Sequence, residues 1–437
     1  MSAYPRPLAA APAGAQQAAA LPWWTSPSGI CLGFLLPILF LIAYVGEMNH
    51  PGLTIRGLRF LTPSYLALGV LILLVSALGG WVGQQMRLQP ADASERSDWD
   101  IAAFGVGLIA FAAYAYWFKD FFLNPGLLLQ TLTGAYRPDR TNIELTPGIT
   151  SLANVAPAFF SIYAFRLAFG GPRIHPVAHL LCAVLVPLTI FRVYAWSERL
   201  ALIEASVPFG LALGAMAWRS PRKWVRLLVL GGPFVALPGL LLYFGIAEYV
   251  RSWASPTYSG KLGFWDFAIG RMASYYYTSL NNGAGLLETM EWPTHKYEFT
   301  LFWLHRAPAL GPGFSAWMDL THSQPEEFLA KFVDPEFNNP SGLYAVICDM
   351  GIAPGIAYFA LVAALSGLLF RAYSAGKLVG VLAYPVLFLS FLEIFRYPYL
   401  GQPRTFTWVL GLLLALLLVY LRQLPRMSAG ARVPGVA

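Results

Sequence analysis

The chain reads as an all-α polytopic membrane protein with about ten transmembrane helices, and three observations lead there. Of its 437 residues, 57% are hydrophobic and only 12% are charged. The mean hydropathy of +0.56 lies far above that of a soluble domain. Apolar windows of about 20 residues, the length that crosses hydrocarbon, recur along most of the chain. The formal net charge of +7 does not point to nucleic acid, because the basic residues are scattered among the apolar windows rather than clustered. Cys31, Cys182 and Cys348 fall inside apolar runs with no metal or redox spacing and read as packing residues.

Residues 1–28, rich in Ala, Pro and Gln, read as a disordered cytoplasmic tail. Seven spans are expected over 29–247, near 29–47, 63–83, 99–118, 149–170, 176–193, 198–218 and 226–247. Residues 248–340 form a long outward loop, and three more spans follow over 341–421, near 341–370, 378–395 and 404–421. The basic segment 422–437 is a second cytoplasmic tail. The stretch 341–370 is longer than a bilayer needs and is expected to tilt or project. Pro37, Pro157, Pro187, Pro208, Pro238, Pro354 and Pro385 predict kinked helices.

Orientation follows from the short loops. Arg219, Arg222, Lys223, Arg226, Arg371, Lys377, Arg422, Arg426 and Arg432 all fall on one side of a ten-helix arrangement, which the positive-inside rule makes cytoplasmic. Arg192, Arg199, Arg396 and Arg404 break that rule by lying at helix ends on the outer side. An ionisable group at the edge of hydrocarbon costs several kcal/mol unless its charge is answered, so these four read as binders of an anion. The stretch FRVYAWSERLALIEASVP adds Glu198 and Glu204, and its Ser197 reads as a helix cap. Helices are expected to begin on the same side at Ser197, at Asn339 and Pro340, and at Pro403, adding the positive ends of three helix dipoles.

The long loop carries FWDFAIGRMASYYYTSL, whose aromatic and aliphatic residues recur at helical spacing. An interfacial helix over Phe264–Leu280 is expected, stopped by Asn281, Asn282 and Gly283, with Arg271 as a further anion contact. Its tyrosines, Tyr276 among them, suit either sugar stacking or an interfacial aromatic belt. His295, His305 and His322 are the loop's groups that titrate near neutral pH. Glu393 with Arg396 is expected as an i,i+3 ion pair. Asp349 is expected about 12 Å down the helix that starts near Ser341. There is no phosphate-binding Gly-Lys-Ser/Thr loop, HExxH, paired-cysteine site or GxSxG elbow.

The succession FRVYAWSERLALIEASVP, RMASYYYTSLNNG, EFNNPSGLYAVICDMGIAPG and FLEIFRYPYLGQPR, over roughly 147–404, resembles the Wzy-type family of oligosaccharide repeat-unit polymerases. The resemblance implies a GT-C-like membrane glycosyltransferase in the bacterial inner membrane, working on undecaprenyl-pyrophosphate-linked oligosaccharides at the periplasmic face, with no metal and no cofactor. It also implies a chain-length regulator and a flippase as partners. A hydroxyl of one lipid-linked repeat unit would attack the anomeric carbon of another chain, and undecaprenyl pyrophosphate would leave. Arg192, Arg199, Arg271, Arg396 and Arg404 are the expected pyrophosphate contacts. Glu198, Asp349 and His305 are alternative bases, and Asn281, Asn282, Asn338, Asn339 and Tyr276 are candidate sugar contacts. An O-antigen ligase acting on lipid A core would share the arginine-rich rim. A lipid-linked oligosaccharide transporter would instead carry charge through the whole bundle.

Overall fold

The computed structural model describes residues 21–48, 58–86, 96–136, 138, 146, 148–169, 174–196, 198–249, 253, 263–320 and 323–430. Among these there is no strand, and helices account for nearly every ordered element. Eight helices are long and apolar enough to cross a membrane: α1 (Pro27–Glu47), α2 (Pro63–Gln85), α3 (Arg96–Trp117), α4 (Thr150–Phe169), α5 (Pro176–Trp196), α6 (Arg199–Trp218), α11 (Ile352–Ser374) and α13 (Pro403–Gly430). Between α6 and α11 lie α7 (Lys223–Leu230), α8 (Gly232–Glu248), α9 (Phe264–Thr289) and α10 (Gly342–Met350), and α12 (Leu378–Leu392) precedes α13.

Three of the ten expected spans take other forms, the third being 341–370, broken at Gly351. The expected span 226–247 is the pair α7 and α8, bent by 72° at Gly231, which counts as a ninth span if the two are joined. The expected span 378–395 is α12, an apolar helix of 15 residues. Side-chain contacts nevertheless sort the helix ends into two groups. At one end Arg371 Nη1 donates to the carbonyls of Gln84 and Met86, Gln423 Nε2 donates to Asp98, and Arg166 pairs with Asp100. The indoles of Trp23 and Trp24 donate to the carbonyls of Leu230 and Val229 at this same end. Arg192, Glu204, Arg396 and Arg404 gather at the other end, and α8 and α12 each run from the first end to the second.

The closest helix contact is between α2 and α11. A Cβ on Gly83 would lie 1.9 Å from the carbonyl oxygen of Ala364, and one on Gly367 2.1 Å from that of Gly80. Small residues thus let two backbones touch, which is how helices associate where lipid removes the hydrophobic driving force.

The expected long helix over 341–370 is broken. Gly351 adopts φ +87, a conformation glycine enters without a Cβ clash, and separates α10 from α11. The carboxylate of Asp349 therefore stands in a short helix above the span Ile352–Ser374 rather than deep within a span. The expected stop at Asn281, Asn282 and Gly283 is also corrected, because α9 runs through all three to Thr289. The helix expected over Phe264–Leu280 is present, and its last turn and continuation over 277–287 are buried against the bundle. The two asparagine side chains do not compete for their own helix backbone because neighbouring segments use them. Asn281 Oδ1 accepts from the amides of Phe60 and Leu61 while its Nδ2 donates to the Leu58 carbonyl. Asn282 Nδ2 donates to the carbonyls of Phe337 and Asn339.

Candidate functional site

Three arginines and three carboxylates gather where α5 passes to α6 and α12 passes to α13. Arg192, in the last turn of α5, donates from Nε to Glu198 Oε2 at 2.7 Å and from Nη1 to Asn154 Oδ1 at 2.8 Å, with its guanidinium over Trp117. Arg404, in the first turn of α13, reaches Glu204 at 3.4 Å and Glu198 at 3.8 Å. Arg396 pairs with Glu393 at 2.8 Å, the expected i,i+3 pair. Glu204 is fixed a second time by the hydroxyl of Tyr399, which donates to it at 2.8 Å. Glu393 lies in the field of Arg396, Glu204 and Arg404 together, so the charges form one coupled cluster.

Exposure divides the arginines. The side chain of Arg192 is 4% exposed, whereas those of Arg404 and Arg396 are 22% and 23% exposed. A guanidinium carries five N–H donors. Arg192 spends its donors on Glu198 and Asn154, while the contacts of Arg404 are long and Arg396 Nε has no hydrogen-bond partner among the described residues. Arg396 and Arg404 thus present partly exposed guanidiniums, although the unpartnered Nε of Arg396 is itself buried, and Arg192 braces the wall behind them. A small cavity of about 10 Å³ lies against Arg192, Asn154, Glu204, Tyr114 and Thr189, about the room of one water molecule. A more open cavity of about 480 Å³ is at the opposite end beside Trp23, Gln84 and Arg371 and has no part in this cluster.

Helix N-termini converge here as expected, with shifted boundaries. α13 starts at Pro403. α10 is capped by Ser341, whose Oγ accepts from Leu343 N, rather than by Asn339 or Pro340. The Ser341 amide donates to the Arg396 carbonyl, which ties the start of α10 to the cluster. At α6 the N-cap position is Glu198, with no side-chain cap bond. Ser197, His322 and the side chain of Arg199 lie outside the described residues.

Other expected site residues are engaged elsewhere. Arg271 is buried between Glu248 at 3.3 Å and Glu336 at 2.6 Å. It also stacks on Phe337, which packs on Tyr275, which in turn faces Arg396, so two aromatic rings separate Arg271 from the cluster. Tyr276 lies within electrostatic reach of Glu393 and Arg396. Asn338 is exposed beyond the cluster's helices, and Asn339 offers its carbonyl to Asn282. Both ring nitrogens of His305 are occupied. Its Nε2 must donate to the Lys296 carbonyl at 2.8 Å, and in the neutral ring Nδ1 then accepts from the Ser315 hydroxyl at 3.0 Å.

Asp349 is fully buried, and its Oδ2 accepts from the amides of Phe299 and Thr300 and from the Thr300 hydroxyl. It therefore pins the loop 299–300 to α10. Burial pushes its carboxyl up to about 7, against those three hydrogen bonds. Its folded pKa lies above the unfolded one, so the stabilisation is complete below about pH 4 and is lost as pH rises through about 7. Asp349→Asn keeps one acceptor oxygen and cannot ionise. It is expected to flatten the pH dependence of thermal melting between about pH 4 and 7 and to retain activity. Complete loss of activity in a normally melting Asn variant would restore Asp349 as a base.

Sequence reasoning named Glu204 without assigning it a role and passed over Asn154 and Tyr399. Asn154 is a lone amide in an apolar run, and Tyr399 stands in the Tyr-Pro-Tyr turn beside Arg396, so both left a signal. Among the described residues no group of three or more His, Cys, Asp or Glu side chains is arranged to hold a metal ion. Comparisons with protein-family models, with curated proteins and with solved structures find no match.

Proposed function

We propose that the chain polymerises lipid-linked oligosaccharide repeat units, with Arg396 and Arg404 receiving the pyrophosphate of the leaving undecaprenyl carrier. The observation that carries this reading is the pair of partly exposed guanidiniums, backed by buried carboxylates where three helix N-termini meet. Such preorganised donors stabilise charge that develops as a leaving group departs. The resemblance over roughly 147–404 supports the same chemistry and brings with it a GT-C-like arrangement, an inner-membrane location and a periplasmic site.

In this reading the acceptor sugar hydroxyl attacks the anomeric carbon, a new carbon–oxygen bond forms, and the bond to pyrophosphate breaks with its electron pair. The hydroxyl proton passes to Glu198, the one of the three candidate bases that shares the arginine cluster. Tyr276 borders the cluster and is the aromatic placed to meet a sugar ring. A chain-length regulator and a flippase would act beside it.

Direct binding tests the pyrophosphate assignment. Purified protein is expected to retain undecaprenyl pyrophosphate about tenfold or more over undecaprenyl monophosphate, since charge-assisted hydrogen bonds each contribute about 1.5–3 kcal/mol. The double variant Arg396→Gln/Arg404→Gln is expected to lose that discrimination. Equal retention of both lipids by the wild type would contradict the assignment.

A further inference from the structure

At the end opposite the arginine cluster, α7 stands apart from the bundle. It is an eight-residue helix, KWVRLLVL, with no buried residue, set at 72° to α8. If α8 crosses the bilayer, α7 lies nearly flat at the membrane surface. Successive helical residues turn by about 100°, which gives α7 three faces. Val225 and Val229, half-buried, face the protein. Trp224 and Leu227, 59% and 67% exposed, form with Leu228 an uncovered apolar face. Lys223 and Arg226 form the third face, with Arg222 just ahead of them, and all three are exposed without an ion pair among the described residues. Arg219 extends the basic edge, its guanidinium over Phe169.

The helix is not a loosely tethered turn. Trp23 and Trp24 each donate an indole N–H at 2.7 Å to its last carbonyls, those of Leu230 and Val229, so the rim of the protein fixes its orientation. A rigid helix that is apolar on one exposed face and triply basic on the next complements a lipid leaflet with negatively charged headgroups. We infer that α7 is a docking platform for anionic phospholipid, in which Trp224, Leu227 and Leu228 enter the acyl boundary while Arg222, Lys223 and Arg226 hold headgroup phosphates. This inference rests on the membrane character of the chain and is independent of the polymerase reading.

The test is co-purification of the full chain from mixed micelles holding equal amounts of phosphatidylglycerol and phosphatidylcholine with identical acyl chains, with retained lipid counted by mass spectrometry. The anionic lipid is expected to be retained at least about tenfold over the zwitterionic one, given the usual attraction per basic residue at an anionic surface. The preference should fall toward unity in about 1 M salt, where charge is screened within ~3 Å. Arg222→Gln/Lys223→Gln/Arg226→Gln should abolish it and Arg226→Gln alone should reduce it, while Arg306→Gln, at the other end, leaves it intact. Equal retention of the two lipids by the wild type overturns the inference and leaves this face to an acidic protein. An unchanged preference in either α7 variant overturns it as well.

Discussion

Replacing Arg404 by Gln is expected to lower polymer formation by about 100- to 1,000-fold while leaving a folded, inserted protein, the loss typical when one preorganised donor is taken from developing charge. The fold has little at stake in this side chain. Its contacts to Glu204 and Glu198 are 3.4 and 3.8 Å, and Glu204 keeps the Tyr399 hydroxyl at 2.8 Å when Arg404 is gone. Arg192→Gln should behave differently, because it leaves Glu198 without its nearest countercharge, at 2.5 Å, in a largely buried setting. Activity and melting temperature should therefore fall together in the Arg192 variant and separate in the Arg404 variant. Measuring both on the same preparations checks this, and polymer of normal length from Arg404→Gln would remove the pyrophosphate seat.

Arg271→Ala is expected to destabilise the protein by about 3–5 kcal/mol, the usual consequence of leaving a buried charge without its partner. The reason is Glu248, which is fully buried at the end of α8 against the Arg271 guanidinium on α9. The pair fastens the outgoing arm of the α7–α8 bend to the helix that leads toward the cluster. Adding Glu248→Gln to Arg271→Ala removes the buried carboxylate that faced the guanidinium, so the double variant should recover part of the loss. Thermal melting and folded yield in detergent report the difference. A single Ala variant as stable as the wild type would show that the pair holds nothing together.

The membrane class was legible because composition and 20-residue apolar windows are properties of single segments. The outer arginines were legible too, because breaking a topological bias leaves a mark in the sequence. Three of the four, Arg192, Arg396 and Arg404, do gather at one end, and the side chain of Arg199 lies outside the described residues. What the sequence hid was pairing across segments. Nothing local to Arg271 announces Glu248 and Glu336, which lie 23 and 65 residues away. Likewise Asn281, Asn282 and Gly283 form a strong local stop signal, yet tertiary partners at Leu58, Phe60, Leu61, Phe337 and Asn339 satisfy the two amides and α9 continues. The break at Gly351 was missed for the opposite reason. Hydropathy runs unbroken through CDMGIAPG, and only the backbone angle of one glycine separates α10 from α11.

Reconstitution tests the central claim most directly. Purified protein in liposomes is given a synthetic undecaprenyl-pyrophosphate repeat unit, without nucleotide, and the products are separated by size. A ladder of lipid-linked oligomers, lost in Arg396→Gln/Arg404→Gln, is the predicted result. No ladder from the cognate repeat unit, with sugar transferred once lipid A core is added, would contradict polymerisation and make the chain a ligase.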